Sequence, residues 1–77
     1  MRAPAFAWPR GWSHRYWWRG DTLPALFLTS QFFFDNVGPL GLSPARSGYR
    51  WVRFGNDLLL VNLRTGEVEE VANGVFY

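Results

Sequence analysis

Side chains that could bind a metal ion or transfer a proton are few in this chain, and they lie in two places. His14 is the single histidine and sits in an aromatic stretch, while Glu67, Glu69 and Glu70 lie close together near the C-terminus. Imidazole is a preferred ligand of metals such as nickel and cobalt, and carboxylates suit harder cations such as Mg²⁺ or Ca²⁺. There is no cysteine, which excludes a thiolate zinc site. The candidate metal ligands are therefore His14, Glu67, Glu69 and Glu70.

Each of these candidates also has an ordinary structural interpretation. A metal site usually needs several ligands, so a lone histidine among aromatic residues is also typical of packing or of a surface position. The three glutamates also fit the solvated edge of a strand, where charge opposes pairing with another chain. Both interpretations stay open for both places.

The same residues give little support to catalysis. Glu67 and Glu69 would share one strand face at roughly 6–7 Å, a spacing similar to that of a glycosidase carboxylate pair, but they would lie on a flat edge. Ser13 and His14 are adjacent in sequence and have no evident third partner. We find no phosphate-binding glycine loop and no cysteine nucleophile. We expect no catalytic residues and no enzyme activity.

The chain has 77 residues, which sets one domain as the ceiling. A domain of this size buries only about 60% of the surface that its unfolded chain exposes, and here no disulfide can compensate. Five Trp, seven Phe and three Tyr supply unusually large apolar side chains. Stability must therefore come from aromatic packing, from a partner subunit, or from both.

Positive charge is concentrated at the N-terminus. Residues 1–20 hold four Arg and no acid, whereas residues 21–77 hold four Arg and six acids. Arginine interleaved with aromatics is typical of single-strand nucleic-acid surfaces and of membrane interfaces, but the acidic remainder opposes a broad basic face. We favour packing into the core of the domain or of a dimer, and we expect no nucleic-acid partner. The apolar runs are too short for a transmembrane segment.

The elements that must position these side chains are clearest in the last third. Residues 49–54, 58–63 and 67–72 are β-prone and are separated by Gly55-Asn56-Asp57 and by Arg64-Thr65-Gly66, both of which favour tight hairpin turns. The predicted fold class is α+β and mostly β, with a C-terminal three-stranded antiparallel meander. One or two N-terminal strands, including the run 31–36, would extend the sheet. Helices would be short at most, for example near Pro24.

Both faces of the middle strand are predicted to be buried. If Leu63 pairs with Glu67, then Val61 faces Glu69 and Leu59 faces Val71. Leu58 and Leu60 point to the other face, because side chains alternate along a strand. The aromatic N-terminal half could cover one face. A second copy of the chain, or the segment 26–34, could cover the other, so a homodimer is an open possibility.

Several segments, taken in their order along the chain, resemble the RcnB family. Its members are small bacterial periplasmic proteins associated with nickel and cobalt homeostasis. The segments are residues 18–24, 32–36, 41–44, 48–57 and 60–66, and the run Gly-Tyr-Arg-Trp-Val-Arg followed by Gly-Asn-Asp is the most specific part. The resemblance covers about residues 17–77, so we divide the chain into an N-terminal arm, 1–16, and an RcnB-like domain, 17–77. The fold-motif residues are Gly48, Tyr49, Trp51, Arg53, Gly55, Asn56, Asp57 and Gly66.

The resemblance implies a non-enzymatic accessory protein that modulates nickel and cobalt homeostasis in concert with an efflux pump. It also implies export to the periplasm, and hence a leader before this sequence. No cofactor is firmly indicated; a weakly bound divalent metal such as nickel or cobalt is the one that the family would suggest. The alternative is an envelope interaction module that uses its aromatic surface to bind itself or another envelope protein, without metal.

Overall fold

A computed structural model, which describes residues 1–77, contains one antiparallel sheet of three strands in the order β1-β2-β3. The strands are β1, Tyr49–Phe54, β2, Asp57–Asn62, and β3, Val68–Ala72. The helical elements are three single 3₁₀ turns, at Ala25–Phe27, Ser30–Phe32 and Gly38–Leu40. The predicted small, mostly β domain with a C-terminal meander is confirmed, and each strand boundary lies within one residue of its predicted position. No helix is long and apolar enough to cross a membrane.

Two glycines in the left-handed region close the meander. Phe54 pairs with Asp57, which leaves a two-residue loop whose first residue, Gly55, has φ +61°. A glycine at that position fits a type II′ hairpin turn. In the second turn Gly66 has φ +79°, and its N–H donates to the Asn62 carbonyl at 2.7 Å. Both turns lie where the sequence predicts them.

The register between β2 and β3 differs from the simple prediction at one point. Leu59 faces Val71 as predicted, but Val61 faces Val68 and not Glu69. The pairing shifts between Leu60 and Val61, so Glu69 is an extra residue in β3, a β-bulge. The bulge places Val68 on the same face as Leu59 and Val61, whereas strict alternation predicted the opposite face.

Both faces of β2 are buried, as predicted, and both are covered within the chain. The first cluster contains Trp17, Leu23, Phe27, Phe32, Val52, Phe54, Leu59, Val61 and Val68. The second contains Val37, Trp51, Leu58, Leu60 and Phe76, with Met1, Phe34, Leu40 and Leu42 among the partly buried residues around it. Segment 26–34 thus packs mainly on the first face. The second face is covered by the loop after it and by the two chain ends.

The expected N-terminal strands do not form. Two isolated antiparallel bridges, Thr22 with Glu67 and Phe33 with Val52, stand in their place. Pro24, which has no N–H for a ladder, lies two residues after Thr22 of the first bridge, and the second bridge directly follows the 3₁₀ turn Ser30–Phe32. Each stretch therefore forms one isolated bridge and no regular strand.

Phe54 is the centre of the aromatic packing. Its buried ring lies 4.9 Å from Trp8, 5.5 Å from Trp17 and 5.2 Å from Phe27, measured between ring centroids. Phe6, Trp8 and Trp12 of the N-terminal segment pack against the first cluster. The aromatic residues therefore do supply the core that a chain this short needs, and the N-terminal segment takes part in it.

Candidate functional site

His14 is engaged with Asp57, the first residue of β2. Its Nε2 atom lies 3.2 Å from Oδ2 of Asp57, a carboxylate that is almost completely buried. The other oxygen of Asp57 accepts a 2.7 Å hydrogen bond from the backbone N–H of Gly74. Asp57 thus connects the N-terminal arm, the first hairpin and the C-terminal tail. The imidazole of His14 therefore helps to hold these three segments together.

Glu69 is paired with an arginine from the loop before β1. Arg46 Nη2 donates to both carboxylate oxygens, at 2.7 Å and 2.6 Å, and its guanidinium lies 3.8 Å from the centroid of the Tyr49 ring. The hydrogen bond from Arg46 holds the pKa of Glu69 below its usual range and raises the pKa of Arg46. The charge of Arg19 also lowers the Glu69 pKa. The bulged residue is therefore the best-neutralised carboxylate of the three.

The other two glutamates are not drawn into a common site. Glu67 is exposed and forms the single bridge with Thr22, and its N–H donates to Thr65 Oγ1 at 3.2 Å. Glu70 lies opposite Leu60 across the β2–β3 ladder and is exposed. The sequence neighbours Glu67, Glu69 and Glu70 thus have three different environments.

The donor set does not fit a chelating site for nickel or cobalt. No group of three His, Cys, Asp or Glu side chains comes together in the structure. His14 has one carboxylate beside it, which is already bonded to Gly74. Sites for these metals usually gather several imidazole or similar ligands, so we derive no chemistry through a bound metal here.

The fold-motif residues hold neighbouring segments to the sheet. Trp51 is buried and its indole Nε1 donates to the Ser43 carbonyl at 2.8 Å. Arg53 donates to the carbonyls of Gly55 and Pro4, at 2.8 Å and 2.7 Å, and partial burial lowers its pKa.

The remaining motif residues also make contacts that stabilise the fold. The Gly48 carbonyl accepts a hydrogen bond from the Leu63 N–H at 3.0 Å, and the Asn56 carbonyl accepts one from the Phe76 N–H at 3.1 Å. The guanidinium of Arg46 stacks on the Tyr49 ring. These contacts give the motif a role in the fold and bring no reactive group to the surface.

A surface groove of about 870 Å³ is the largest concave feature, and we call it the β3 groove. It is lined by residues 16–19, Arg46, Leu60, Glu69, Glu70, Val71 and Asn73. Trp18 is 73% exposed and Tyr16 is 63% exposed, whereas Trp17 between them is buried in the core. Two large aromatic side chains are thus exposed beside the same groove.

Sequence reasoning did not find this groove. It depends on the bulge at Glu69 and on the turn that separates residues 16–18 from the β3-paired residues 20–22, and neither is visible in a pattern of residue types. The one available signal was the run Tyr16-Trp17-Trp18, because only every second residue of an extended segment can point into the core.

Comparison with known proteins adds a family and a structural relative. The model of the RcnB family, described as a nickel/cobalt transporter regulator, matches residues 20–70, which are 51 of the 77 residues. One solved structure, which carries no functional description, is 27% identical with a TM-score of 0.65. The match covers 73% of this chain and 68% of that one. No curated protein matches significantly. Residues 20–70, which the family model matches, include β1, β2 and the bulge of β3.

Proposed function

This chain belongs to the RcnB family, and from that premise we propose that it is a small periplasmic accessory protein that regulates nickel and cobalt transport without catalysing a reaction. The observation that carries this proposal is the family match over residues 20–70, which includes β1, β2, both hairpin turns and the first three residues of β3. The periplasmic location and the absence of catalysis are expectations that come with the proposal.

The structure favours regulation through protein contact. Two of the four candidate metal ligands are engaged in holding the fold, His14 with Asp57 and Glu69 with Arg46. The exposed Trp18 and Tyr16, by contrast, are available to a partner. Nickel and cobalt are then the cargo of the transport system that is regulated, and this chain acts on a protein of that system.

The proposal is tested by metal retention in the native host. Deleting the gene should change the cell content of nickel and cobalt, measured by mass spectrometry after growth with each metal, and expressing the intact gene should restore it. Zinc content serves as the control, because the family is described for nickel and cobalt. Unchanged nickel and cobalt in the deletion strain would refute the regulatory role.

The location is tested separately by fractionating cells that express the full natural gene. The protein should appear with periplasmic markers. Recovery with cytoplasmic markers would contradict a periplasmic role.

A second candidate is an envelope interaction module that binds itself or another envelope protein without any link to metal. The exposed aromatic residues of the β3 groove favour it. It predicts normal metal content in the deletion strain. Its self-associating form further predicts a dimer in sedimentation equilibrium at micromolar concentration, whereas both faces of β2 are already covered in the single chain.

A further inference from the structure

Asn73 and Gly74 form the turn that follows β3. Both residues are exposed, and Gly74 has φ +66°. The Asn73 carboxamide takes part in none of the side-chain hydrogen bonds of the structure, so it is free to rotate towards the backbone. Glycine has no Cβ atom, so the nitrogen of residue 74 can be approached closely. The turn thus exposes a free carboxamide beside an unhindered backbone nitrogen.

The reaction available to this pair is deamidation through a succinimide. The Gly74 nitrogen gives its proton to water and bonds to Cγ of Asn73, while the Cγ–Nδ2 bond breaks and ammonia leaves. Water then opens the ring at Cγ, which gives aspartate, or at the backbone carbonyl carbon, which gives isoaspartate. The overall change exchanges ammonia for water and needs no enzyme, oxidant or metal.

The other three asparagines of the chain lack this combination of features. Each is followed by a residue whose side chain crowds the attacking nitrogen; the pairs are Asn36-Val37, Asn56-Asp57 and Asn62-Leu63. Asn62 is also held in place, because its Oδ1 atom accepts two backbone N–H groups at 2.9 Å and 3.3 Å. Asn73 is therefore the position that the chemistry selects.

One hydrogen bond holds the nitrogen that must react. The Gly74 N–H donates to Oδ1 of Asp57 at 2.7 Å, and this carboxylate is almost completely buried. Oδ2 of the same carboxylate lies 3.2 Å from His14 Nε2, so the acceptor is itself fixed. A hydrogen bond to an ionised group is roughly twice as strong as one between neutral groups. The nitrogen of Gly74 can lose its proton to water and turn towards Asn73 only when this bond opens.

We propose that Asn73 is a site of spontaneous deamidation whose rate is set by the release of Gly74 from Asp57. The reaction is slow while the hydrogen bond is made and proceeds when the turn opens. Closing the turn again does not reverse it, because ammonia has left. The modification requires neither a partner nor a metal, and it stands apart from the regulatory role proposed above.

Isoaspartate at this position would release the tail, residues 74–77. Phe76 is buried in the second cluster, where its ring centroid lies 5.0 Å from that of Phe34, and its N–H donates to the Asn56 carbonyl at 3.1 Å. Isoaspartate inserts Cβ into the main chain just before the tail. The lengthened chain cannot keep these contacts together with the bond to Asp57, so Phe76 leaves the second cluster.

Aspartate, the other product, leaves the main chain unchanged. It adds a negative charge to the β3 groove, which Asn73 lines together with Glu69 and Glu70. Asn73→Asp therefore reproduces the change in charge without the change in backbone length, and it serves as the matched control for isoaspartate.

The test is ageing of the purified 77-residue chain at pH 8 and 37 °C, followed by peptide mapping. We expect a mass increase of about 1 Da at Asn73 and none at the other three asparagines. Asn73→Gln should stay unmodified, because its longer side chain would have to close a larger ring. The same chain aged in guanidinium chloride should convert about tenfold faster, since unfolding removes the bond to Asp57.

Two variants test the control of the rate. Asp57→Asn replaces the carboxylate by a neutral acceptor and should raise the rate severalfold in the folded chain. Gly74→Ala adds a Cβ beside the attacking nitrogen and should lower the rate in the unfolded chain. If Asp57→Asn does not fold, the comparison of the folded and unfolded wild type decides the same point.

The consequence for the tail is measured on the separated products. The isoaspartate form should unfold about 10 °C or more below the wild type, because loss of Phe76 leaves a cavity. Asn73→Asp should unfold close to the wild type. An isoaspartate form with the Tm of Asn73→Asp would show that the tail stays in place.

The site itself is refuted if the folded chain shows no conversion at Asn73 after about a hundred half-times of the unfolded chain. Conversion of another asparagine at an equal rate would also refute it. Equal rates in the folded and unfolded chain, or an unchanged rate in folded Asp57→Asn, would contradict control by Asp57.

Discussion

Arg46 donates two hydrogen bonds to Glu69, at 2.7 Å and 2.6 Å, and so joins the loop before β1 to the outermost strand. Glu69 is also the bulged residue of β3, which the regular alternation of the strand would have directed elsewhere. The ion pair and the bulge thus meet at one position beside the β3 groove. The same contact neutralises a carboxylate that would otherwise repel acidic partners and attract metal ions.

The ion pair predicts a pH-dependent contribution to stability. The pKa of Glu69 in the folded protein lies below its ordinary value near 4.5, so its contribution is present above that value and is lost as pH falls through the folded pKa. The pair is partly exposed, so the effect on Tm should be small. Glu69→Gln should lower Tm at pH 7 and leave it close to wild type at pH 2, measured by circular dichroism. Glu70→Gln, which removes a neighbouring carboxylate without an ion pair, is the control. An equal Tm difference for Glu69→Gln at both pH values would contradict this explanation.

Gly66 is predicted to be the least replaceable glycine. A Cβ atom there would lie 2.8 Å from the backbone carbonyl oxygen of Leu23, and the residue has φ +79°. Gly74 has a similar φ of +66°, but a Cβ atom would meet nothing within 4 Å. Gly74→Ala should cost about 1 kcal/mol from the backbone conformation alone, and Gly66→Ala about 3 kcal/mol, since its clash is with backbone. Urea unfolding measures both. Equal losses of unfolding free energy in the two variants would show that the close contact with the Leu23 carbonyl does not destabilise Gly66→Ala.

Phe54 should be the most sensitive core position. Its ring contacts aromatic residues from the arm, from the segment before the first 3₁₀ turn and from that turn itself, so truncation would leave a cavity that all three share. Phe54→Ala should lose about 3–5 kcal/mol, which in a domain this small can unfold the chain at 25 °C. Phe54→Leu keeps most of the volume and should lose about 1–2 kcal/mol, so it remains measurable by urea unfolding.

Leu26→Ala, at an exposed position, is the control for the Phe54 variants. A loss at Phe54 no larger than at Leu26 would contradict the central place of the Phe54 ring.

Nickel binding by the purified chain should not depend on a specific site. Because His14 is paired with Asp57 and no group of three suitable ligands exists, calorimetric titration with Ni²⁺ or Co²⁺ should give the same weak heats for wild type and His14→Ala. Glu67→Gln tests the acidic edge in the same way. Stoichiometric binding that disappears in His14→Ala would show that the imidazole does hold a metal.

The strands, the two turns and the two-sided burial of β2 could be predicted because short-range rules determine them. Gly55 and Gly66 supply positive φ, and Leu58 to Val61 carry apolar side chains on both faces. The bulge at Glu69 could not be predicted, since a one-residue shift in pairing leaves the residue pattern unchanged.

The segments that pack on the two faces of the sheet were also only partly predictable. The residue types of Phe32 and Phe33 predict a strand. The chain instead forms a 3₁₀ turn over Ser30–Phe32 and a single bridge between Phe33 and Val52. The burial of Phe32 in the first cluster outweighs its local preference for a strand. The β3 groove depends on such long-range placements, so sequence patterns did not reveal it.

Regulation by protein contact, rather than by holding metal, is tested most directly by nickel retention in the deletion strain complemented with matched variants. Each variant should be expressed at wild-type level, checked by immunoblot. Trp18→Ala should fail to restore wild-type nickel content, whereas His14→Ala and Tyr77→Ala should restore it. Full restoration by Trp18→Ala together with failure of His14→Ala would contradict a contact mechanism and point to the imidazole instead.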